Sequence, residues 1–406
     1  MGGYGMSERD ILAEHRAVAP LKIAVMENIK GLGDMVNHYL VEYRQDRNHQ
    51  HKESPIFKGY TADNYEIEFS LVRFGTGEGK CILDESVRGS DLYILGDVTN
   101  YSLTYQMNGF TNHMSPDDHY QDLKRIIAAV GGKAHRVTVV MPFLYESRQH
   151  KRSARESLDC AMMIGELADM GVTNVMTFDA HDPSVQAASQ LCGFDNFSAF
   201  YQFIRSLLDT EDDLIIDKDH VVIISPDEGA LNRAIYFATV LGVDTGMFYK
   251  RRDYAHIVNG KNPIVAHEFL GDSVDGKDVI VVDDMISSGG SMLDTAKQLK
   301  NMNARRVYIC CTFGLFTDGM DAFDEAYEKG YFDKVITTNL HYRRPELLSR
   351  PYYVEADMSK FLAQIIDYSN HDISMDNVRT PTEKIRQILA RYNNREDIPV
   401  ANYHDE

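Results

Sequence analysis

Along most of the chain, short runs of consecutive apolar residues alternate with segments whose apolar positions recur at helical spacing. Continuous apolar runs are typical of strands buried on both faces, and the helical spacing predicts amphipathic helices. The alternation favours an α/β protein built from mostly parallel sheets flanked by helices. The clearest predicted strands are 91–95, 137–141, 175–178, 221–225, 279–282 and 307–312, and the clearest predicted helices are 119–130, 157–170, 230–241 and 291–301.

The 406 residues are enough for two such domains, each with its own apolar core. Segment 189–219 is less regular and more polar than its flanks, so we place a domain boundary near its start. Helical periodicity returns at 358–367 and at 382–392. The predicted organisation is an N-terminal tail at 1–20, a first α/β domain at 21–189, a second at 190–367, and a helical extension and tail at 368–406.

The composition is that of an ordinary soluble protein, with 44% hydrophobic and 25% charged residues. The net charge, 42 − 61 = −19, argues against binding to nucleic acid, which needs a basic surface. It leaves room for anionic substrates, because a local basic loop can bind phosphate within an acidic protein. No signal-peptide pattern and no apolar run of about 18 residues is present, which predicts a cytoplasmic protein without a membrane span. Cysteines without CxxC spacing predict reduced, mostly buried thiols at Cys81, Cys160, Cys192, Cys310 and Cys311.

The sharpest motif lies between Val279 and Ser291, where a β-branched run is followed by Asp283 and Asp284 and then by small residues. A phosphate beside such a turn can accept backbone N–H bonds at the positive end of a helix. The two carboxylates suit sugar hydroxyls or a divalent cation. The alternative is a strand-to-helix turn in which serines cap the helix and the aspartates are solvated. The small residues are Ser287, Ser288, Gly289, Gly290 and Ser291.

Three further polar clusters follow predicted strands, and they contain Arg148 with Gln149, His181, and Asp227. Guanidinium and amide groups at the end of a strand can hold the phosphates and base of a nucleotide. Each cluster also has a purely structural interpretation. The first could be a solvated basic face, the second a structural histidine, and the third the acidic first turn of a helix.

Two more segments carry candidate chemistry. Lys250 and Arg252 belong to a cationic cluster that the pattern places in a long polar loop before the strand at Val279. Phe74 and Glu78 flank a glycine-containing turn that predicts a β-hairpin. Taken alone, the first segment could be simply solvated and the second an ordinary hairpin.

Taken in order, these motifs resemble the ribose-phosphate diphosphokinase family, whose domains have the phosphoribosyltransferase-type fold. Residues 279–291 resemble its pyrophosphorylated-ribose motif, 225–230 its Ser-Pro-Asp-x-Gly-Gly element, and 177–181 its Asp-Leu-His element. Residues 142–150 are similar to its proline, tyrosine and Arg-Gln-Asp element, with His150 in place of the aspartate. The resemblance spans about 23–367, and its order excludes simple transferases, which lack the ATP-binding first half.

The resemblance implies two similar phosphoribosyltransferase-like domains and transfer of the β,γ-diphosphate of ATP to the anomeric hydroxyl of ribose 5-phosphate. It also implies a homo-oligomer, a hexamer built from dimers, in which the hairpin at Phe74 touches the nucleotide of a neighbouring subunit. Thr76, His150 and Ser287 replace acidic residues of the family, which leaves a weakly catalytic regulatory paralogue as the main alternative. A transferase that consumes the product is a more distant one. The implied sites are ATP at Phe74, Glu78, Arg148, Gln149 and His181; ribose 5-phosphate at Asp283, Asp284 and 287–291; Mg²⁺ at His181 and Asp227; and catalysis by Lys250 and Arg252.

Overall fold

The computed structural model describes residues 15–50, 60–252, 264–379 and 381–393. Predicted strands and helices appear in the expected order, with ends that shift by a few residues. In this part of the chain the strands are Leu21–Val25 (β1), Phe69–Arg73 (β2), Gly79–Leu83 (β3), Asp91–Leu95 (β4), Thr104–Met107 (β5), Phe110–His113 (β6), Arg136–Val140 (β7), Asn174–Phe178 (β8), Gly193–Phe197 (β9), Val221–Ser225 (β10), Asp244–Arg252 (β11), Ile264–Leu270 (β12), Asp278–Ile286 (β13), Arg306–Gly314 (β14), Lys334–Thr338 (β15) and Tyr353–Ala356 (β16).

Helices separate most of the strands, and their ends follow local chemistry. The helix 116–130, for example, begins at a capping box between Ser115 and Asp118 and ends at Gly131, whose φ is 57°. Short 3₁₀ turns lie at Glu27–Ile29 and Pro183–Ala188. The α-helices in the described ranges are Lys30–Gln50 (α1), Pro116–Val130 (α2), Asp159–Asp169 (α3), Phe200–Thr210 (α4), Leu231–Leu241 (α5), Gly290–Asn301 (α6), Asp321–Glu328 (α7), Pro345–Leu348 (α8), Ser359–Asn370 (α9), Asp376–Arg379 (α10) and Thr382–Asn393 (α11).

The first domain is built on a parallel sheet with the strand order β1-β4-β7-β8-β9. Successive strands are added in one direction, so the chain never reverses its course across this sheet. The carboxyl ends of β7 and β8 lead into the segments that contain Arg148 and His181. Two hairpins, β2–β3 and β5–β6, stand apart from the sheet.

The second domain has a sheet with the order β12-β11-β10-β13-β14-β15-β16. Its pairs are parallel except for β11 with β12, which is antiparallel. The chain passes from β10 to β11 on one side and then returns to place β13 on the other side of β10. Open α/β sheets bind ligands at such a switch point, beyond the carboxyl ends of the strands. The segment at Asp227 leaves the sheet there, and β13 continues past the end of β10 with Asp283 and Asp284.

The two domains share one apolar core instead of meeting only at a polar surface. Phe178 and Phe197 of the first sheet each pack on Phe361 of α9, with ring centroids 6.3 Å apart in both pairs. The same cluster of buried residues continues through Phe203 of α4 and Ile223 of β10. This continuous core fixes one sheet relative to the other.

Four details differ from or complete the predictions. Strand β9 pairs with β8, so the chain leaves the first sheet after Phe197 and not near Ser189. Lys250 and Arg252 belong to strand β11 instead of a loop, because β11 continues in register with β12. The cysteines are free thiols, and all except the half-buried Cys81 are buried, as predicted. No helix in the described ranges is long and apolar enough to cross a membrane.

Candidate active site

A cleft of about 290 Å³ lies between the two domains at the carboxyl ends of β10 and β13. The first domain contributes Arg148 and His181, and the second contributes Asp227 and the stretch 283–292. The cleft therefore brings together four of the polar motifs that the sequence analysis singled out, although they are spread over more than a hundred residues. Most of its lining is polar or small, which suits a charged, hydroxyl-rich ligand.

The turn after β13 has the geometry expected of an anion-binding loop. Gly289 has a φ of 83°, and a Cβ atom built on it would lie 2.2 Å from the ring of Phe323, so only glycine fits there. Helix α6 begins at the next residue, with its amino terminus in the cleft lining. The carbonyl of Ser287 accepts a hydrogen bond from the backbone N–H of Thr317 at 3.0 Å, which anchors the turn to the segment after β14.

Asp283 and Asp284 lie within β13, which runs four residues further than predicted because its pairing with β14 continues to Ile286. Nδ1 of His181 donates to the Asp284 carboxylate across the cleft at 2.8 Å. This bond raises the pKa of His181 above its ordinary value, although partial burial opposes the shift. Burial by itself would raise the pKa of Asp284, but the bond from His181 and the charge of Arg233 lower it.

The pKa of the neighbouring Asp283 is shifted in the opposite direction. Burial, followed by repulsion from Asp284, raises the pKa of Asp283 well above its ordinary value. Repulsion between two adjacent carboxylates makes the second ionisation costly, so negative charge is favoured on Asp284, which faces His181, over Asp283.

Arg233 on α5, which lines the cleft, and Asp179 after β8 form a second polar link between the two domains. Arg233 Nε donates to Asp179 at 2.8 Å, and the hydroxyl of Thr312 donates to the other carboxylate oxygen at 2.7 Å. Arg233 Nη1 also lies 3.8 Å from Asp283. Asp179 has a φ of 44°, an uncommon conformation for a residue other than glycine, which the surrounding contacts hold in place.

Of the two predicted ATP-binding residues after β7, only Arg148 lines the cleft. Arg148 lines the cleft, but the amide nitrogen of Gln149 donates to the backbone carbonyls of Lys151 and Ser157, at 3.2 and 2.9 Å. Contact between Gln149 and a nucleotide would therefore require a change of rotamer. His150 lies beside the cleft, with Nε2 3.0 Å from Asp182 and its ring 5.7 Å from that of His181.

Asp227 and His181 are compatible with Mg²⁺ that is bound mainly through substrate phosphates. Both line the cleft, together with Asp283 and Asp284. In the described ranges no group of three or more His, Cys, Asp or Glu side chains could hold a metal ion by itself. Mg²⁺ usually relies on one or two carboxylates and substrate oxygens instead of a complete protein cage, so the residues present fit the ion.

Two predicted groups lie away from this cleft or outside the described side chains. Phe74 and Glu78 sit at the tip of the β2–β3 hairpin, where the Phe74 N–H donates to the carbonyl of Glu78 at 2.8 Å and the Phe74 ring is 47% exposed. Neither residue lines the cleft of its own chain. The backbone of Lys250 and Arg252 pairs with β12, but their side chains lie outside the described residues.

Comparison with known proteins gives the same result for both halves of the chain. Residues 62–171 match the model for the N-terminal domain of ribose phosphate pyrophosphokinase, and residues 194–342 match that of the phosphoribosyl transferase domain. A ribose-phosphate pyrophosphokinase of Vibrio parahaemolyticus is 30% identical over 301 residues, 73% of this chain and 86% of that protein. One of Shewanella oneidensis is 31% identical over 298 residues, 72% of this chain and 85% of that protein.

The chain belongs to the ribose-phosphate pyrophosphokinase family. This is a family of diphosphate-transferring enzymes, as the motif order predicted. The fold agrees with that of the phosphoribosylpyrophosphate synthetase from Mycobacterium smegmatis, with a TM-score of 0.65, 22% identity and coverage of 87% of this chain and 99% of that one. The predicted α/β class with two parallel-sheet domains is thus confirmed.

The predicted site omitted Arg233, which lines the cleft, and Asp179, which pairs with Arg233. Both fall inside or beside the motifs that the sequence analysis used, at 225–233 and 177–181. Their helical and strand settings give no sign that they pair across the two domains. A charged residue directly after a buried strand was the available signal for Asp179.

Proposed function

We propose that this protein is a ribose-phosphate diphosphokinase that transfers the β,γ-diphosphate of ATP to the anomeric hydroxyl of ribose 5-phosphate, releasing AMP. The observation that supports it most is the meeting of Arg148 and His181 from one domain with Asp284 and the 287–291 turn from the other. A cleft with a cationic wall and an opposing acidic, glycine-rich wall can hold a nucleotide and a sugar phosphate face to face.

In this proposal the phosphate of ribose 5-phosphate lies on the 287–291 turn, at the amino terminus of α6. Asp284, whose pKa is lowered by the bond from His181 and the charge of Arg233, accepts hydrogen bonds from the ring hydroxyls, with Asp283 beside it. Arg148 and Gln149 hold the ATP phosphates and base. His181 and Asp227 would hold Mg²⁺, which neutralises charge on the phosphates being transferred.

No step requires a nucleophilic side chain. The anomeric oxygen attacks the β-phosphorus and gives up its proton to water, the bond from that phosphorus to the α-phosphate oxygen breaks, and AMP leaves with the bonding electrons. The protein contributes orientation of the two substrates and stabilisation of developing negative charge. Lys250 and Arg252, on the β11–β12 hairpin next to β10, are proposed to provide the latter.

The deciding experiment measures AMP formation from ATP and Mg²⁺, with and without ribose 5-phosphate. Formation of AMP that depends on ribose 5-phosphate supports the enzyme. Binding of both substrates without turnover would instead indicate a regulatory paralogue. This alternative is considered because Thr76, His150 and Ser287 replace acidic residues of the family. Release of diphosphate when a free base and phosphoribosyl diphosphate are offered would indicate a phosphoribosyltransferase.

Lys250→Ala is expected to lower turnover by roughly 10²- to 10³-fold with an unchanged melting temperature, because it removes a positive charge proposed to act on the transferred group. The matched control is Lys218→Ala, an exposed lysine just before the amino end of β10, the end of that strand opposite the cleft. Turnover of Lys250→Ala equal to that of the control would remove the hairpin from the mechanism.

We further propose that the protein acts as a homo-oligomer in which Phe74 and Glu78 reach the nucleotide of a neighbouring subunit. The exposure of the Phe74 ring and the distance of the hairpin from its own cleft support this arrangement. Light scattering coupled to size exclusion tests it, and a monomer with full activity would contradict it.

A further inference from the structure

Asp179 lies in the first domain directly after β8, but two elements of the second domain bind its side chain. Nε of Arg233 on α5 donates to one carboxylate oxygen at 2.8 Å, and the hydroxyl of Thr312 on β14 donates to the other at 2.7 Å. The side chains of Asp179 and Arg233 are 12% and 10% exposed, and Thr312 is buried. These three side chains form an interdomain link. A carboxylate that is held at both oxygens by different elements has little freedom to move.

The main chain of the same segment is fixed to the first domain. The backbone N–H of Asp179 donates to the carbonyl of Phe197 at 2.8 Å, and that of Ala180 donates to the side-chain oxygen of Asn196 at 3.1 Å. Asp179 has a φ of 44°, a conformation that persists in a residue other than glycine only where surrounding contacts determine it. His181 follows two residues later, so the direction of its side chain depends on this constrained turn.

The other end of the link reaches the strand that carries the acidic pair. Nη1 of Arg233 lies 3.8 Å from the Asp283 carboxylate. Helix α5, which carries Arg233, and strand β14, which carries Thr312, both contact β13. The link therefore connects the turn before His181 to two neighbours of the strand that contains Asp283 and Asp284.

Two members of the link act only through other residues. Asp179 and Thr312 do not line the cleft, whereas Arg233, His181 and Asp284 do. Any effect of Asp179 or Thr312 on a ligand in the cleft is therefore transmitted by side chains that they hold in place. Such placement matters for a reaction between two bound substrates, because an error of about 1 Å in their alignment can lower the rate by about 10²-fold.

We propose that Asp179 and Arg233 are positioning residues that align the two sides of the cleft. They hold His181, on the nucleotide side, at a fixed place relative to Asp283 and Asp284 on the ribose side. This role rests on the function proposed above, in which ATP and ribose 5-phosphate occupy opposite sides. It gives the link an effect on turnover that is separate from its effect on stability.

Asp179→Asn is the first test. Asparagine tolerates a positive φ and keeps an acceptor for Thr312, but it lacks the charge that binds Arg233. The expected fall in kcat is roughly 10- to 10²-fold, because the two sides lose their alignment. Each side remains intact by itself. The affinities for ribose 5-phosphate alone and for a non-hydrolysable ATP analogue with Mg²⁺ alone should therefore stay within about threefold of the native values, as measured by calorimetry.

The same titration is repeated with both ligands. When the ATP analogue already occupies the cleft, Asp179→Asn should bind ribose 5-phosphate at least about fivefold more weakly than the native protein does. Binding of the second ligand requires both sides in their native relation, which binding of either ligand alone does not.

Thr312→Val separates positioning from a purely structural role. It removes one hydrogen bond to Asp179 and leaves every charge in the cleft unchanged. The matched control is Thr337→Val on β15, an equally buried threonine whose hydroxyl bonds to that of Tyr353 at 3.0 Å. Chemical denaturation should show similar losses of stability in the two variants. Only Thr312→Val should lower kcat per folded molecule, by roughly three- to tenfold, and Thr312→Ser, which keeps the hydroxyl, should restore it.

Two results would overturn the proposal: native kcat per folded molecule in both Asp179→Asn and Thr312→Val, or equal losses of kcat in Thr312→Val and Thr337→Val. If Asp179→Asn fails to fold, the two threonine variants decide the question.

Formation of AMP by the native protein is measured first, so that a failure of the proposed enzyme activity is recognised separately. If the native protein binds both ligands without forming AMP, the affinity for ribose 5-phosphate beside the ATP analogue decides the positioning role. Native affinity in Asp179→Asn would then contradict that role, and weakened affinity would support it. A native protein that binds neither ligand contradicts both proposals.

Discussion

Polar contacts join the two domains in two places that differ in their exposure to solvent. Near the amino ends of the first sheet's strands, Arg44 of α1 pairs with Asp367 of α9 at 3.0 Å, and the two side chains are 0% and 1% exposed. At the cleft, His181 pairs with Asp284 at 2.8 Å, and the His181 side chain is 37% exposed although that of Asp284 is only 4% exposed. The first contact is sealed, and the second borders open space.

This difference in exposure determines what each contact can do. Breaking a sealed ion pair is costly, because water cannot solvate the charge that remains. The pair of Arg44 and Asp367 therefore fixes one domain to the other. Asn370 strengthens it by accepting from Arg44 at 2.6 Å and donating to Asp91 at 2.8 Å. The pair at the cleft can exchange its partner for a ligand, because solvent or substrate replaces the lost bond. A binding site needs the second kind of contact.

The largest expected effect comes from Asp284→Asn at the cleft. It removes the carboxylate that pairs with His181 across the cleft, so kcat/KM should fall by roughly 10²- to 10³-fold. The melting temperature should change less than in a variant of the sealed pair, because the His181 side of the lost bond borders solvent. Steady-state kinetics and thermal unfolding of the same preparation measure both quantities.

Asp283→Asn is the control for that variant. Because burial and Asp284 raise the pKa of Asp283, its carboxyl gives up its charge more readily than that of Asp284, and replacement by an amide should cost less activity than Asp284→Asn. Equal losses in the two variants would show that the charge is not concentrated on Asp284.

The next effect belongs to the sealed pair. Arg44→Met removes the guanidinium that pairs with the buried Asp367 carboxylate, and we expect the free energy of unfolding to fall by roughly 3–5 kcal/mol. Turnover of the molecules that remain folded should be unchanged, because Arg44 does not line the cleft. Chemical denaturation measures the first quantity, and activity per folded molecule measures the second.

The double variant Arg44→Met with Asp367→Leu should recover most of that loss, since no unpaired charge remains. An exposed pair serves as the control: in Lys329 with Glu325, the side chains are 50% and 66% exposed, so Lys329→Met should leave stability nearly unchanged. If Arg44→Met changes the free energy of unfolding as little as Lys329→Met does, the sealed pair stabilises the protein no more than an exposed pair.

The smallest expected effect is the pH dependence of the pair at the cleft. The raised pKa of His181 means that its contribution to stability is complete below its ordinary pKa and is lost as pH rises through the raised value. The lowered pKa of Asp284 means that its contribution is present above its ordinary pKa and is lost as pH falls through the lowered value. The pair therefore stabilises the ligand-free protein between these two pKa values.

Thermal unfolding across the pH range tests this window. The difference in melting temperature between the native protein and His181→Asn should shrink as pH rises above the raised pKa of His181. The difference in melting temperature between the native protein and Asp284→Asn should shrink over the same pH range. A difference that stays constant with pH would mean that the pair is not ionised in the folded protein.

Several elements could be predicted because their cause is local. Strand β10 and helix α5 appear where the apolar runs and the helical spacing place them, since buried parallel strands and amphipathic helices impose different periods. Strand β9 was missed because its sequence, with two polar residues among five, lacks a continuous apolar run. The charged end of strand β11 was interpreted as a loop because charged residues do not by themselves indicate a strand. Only the pairing of β11 with β12 shows that the strand continues through them.

The sequence by itself determined the α/β class, the order of the motifs and the glycine-containing turn after β13. These follow from periodicity, and from a conformation at Gly289 that a side chain would obstruct. The tertiary structure decided which side chains meet: His181 and Asp284 are 103 residues apart, and Arg44 and Asp367 are 323 apart. Such contacts depend on strand order and on the packing of one domain against the other. No local pattern encodes that packing, because it is settled by the whole shared core at once.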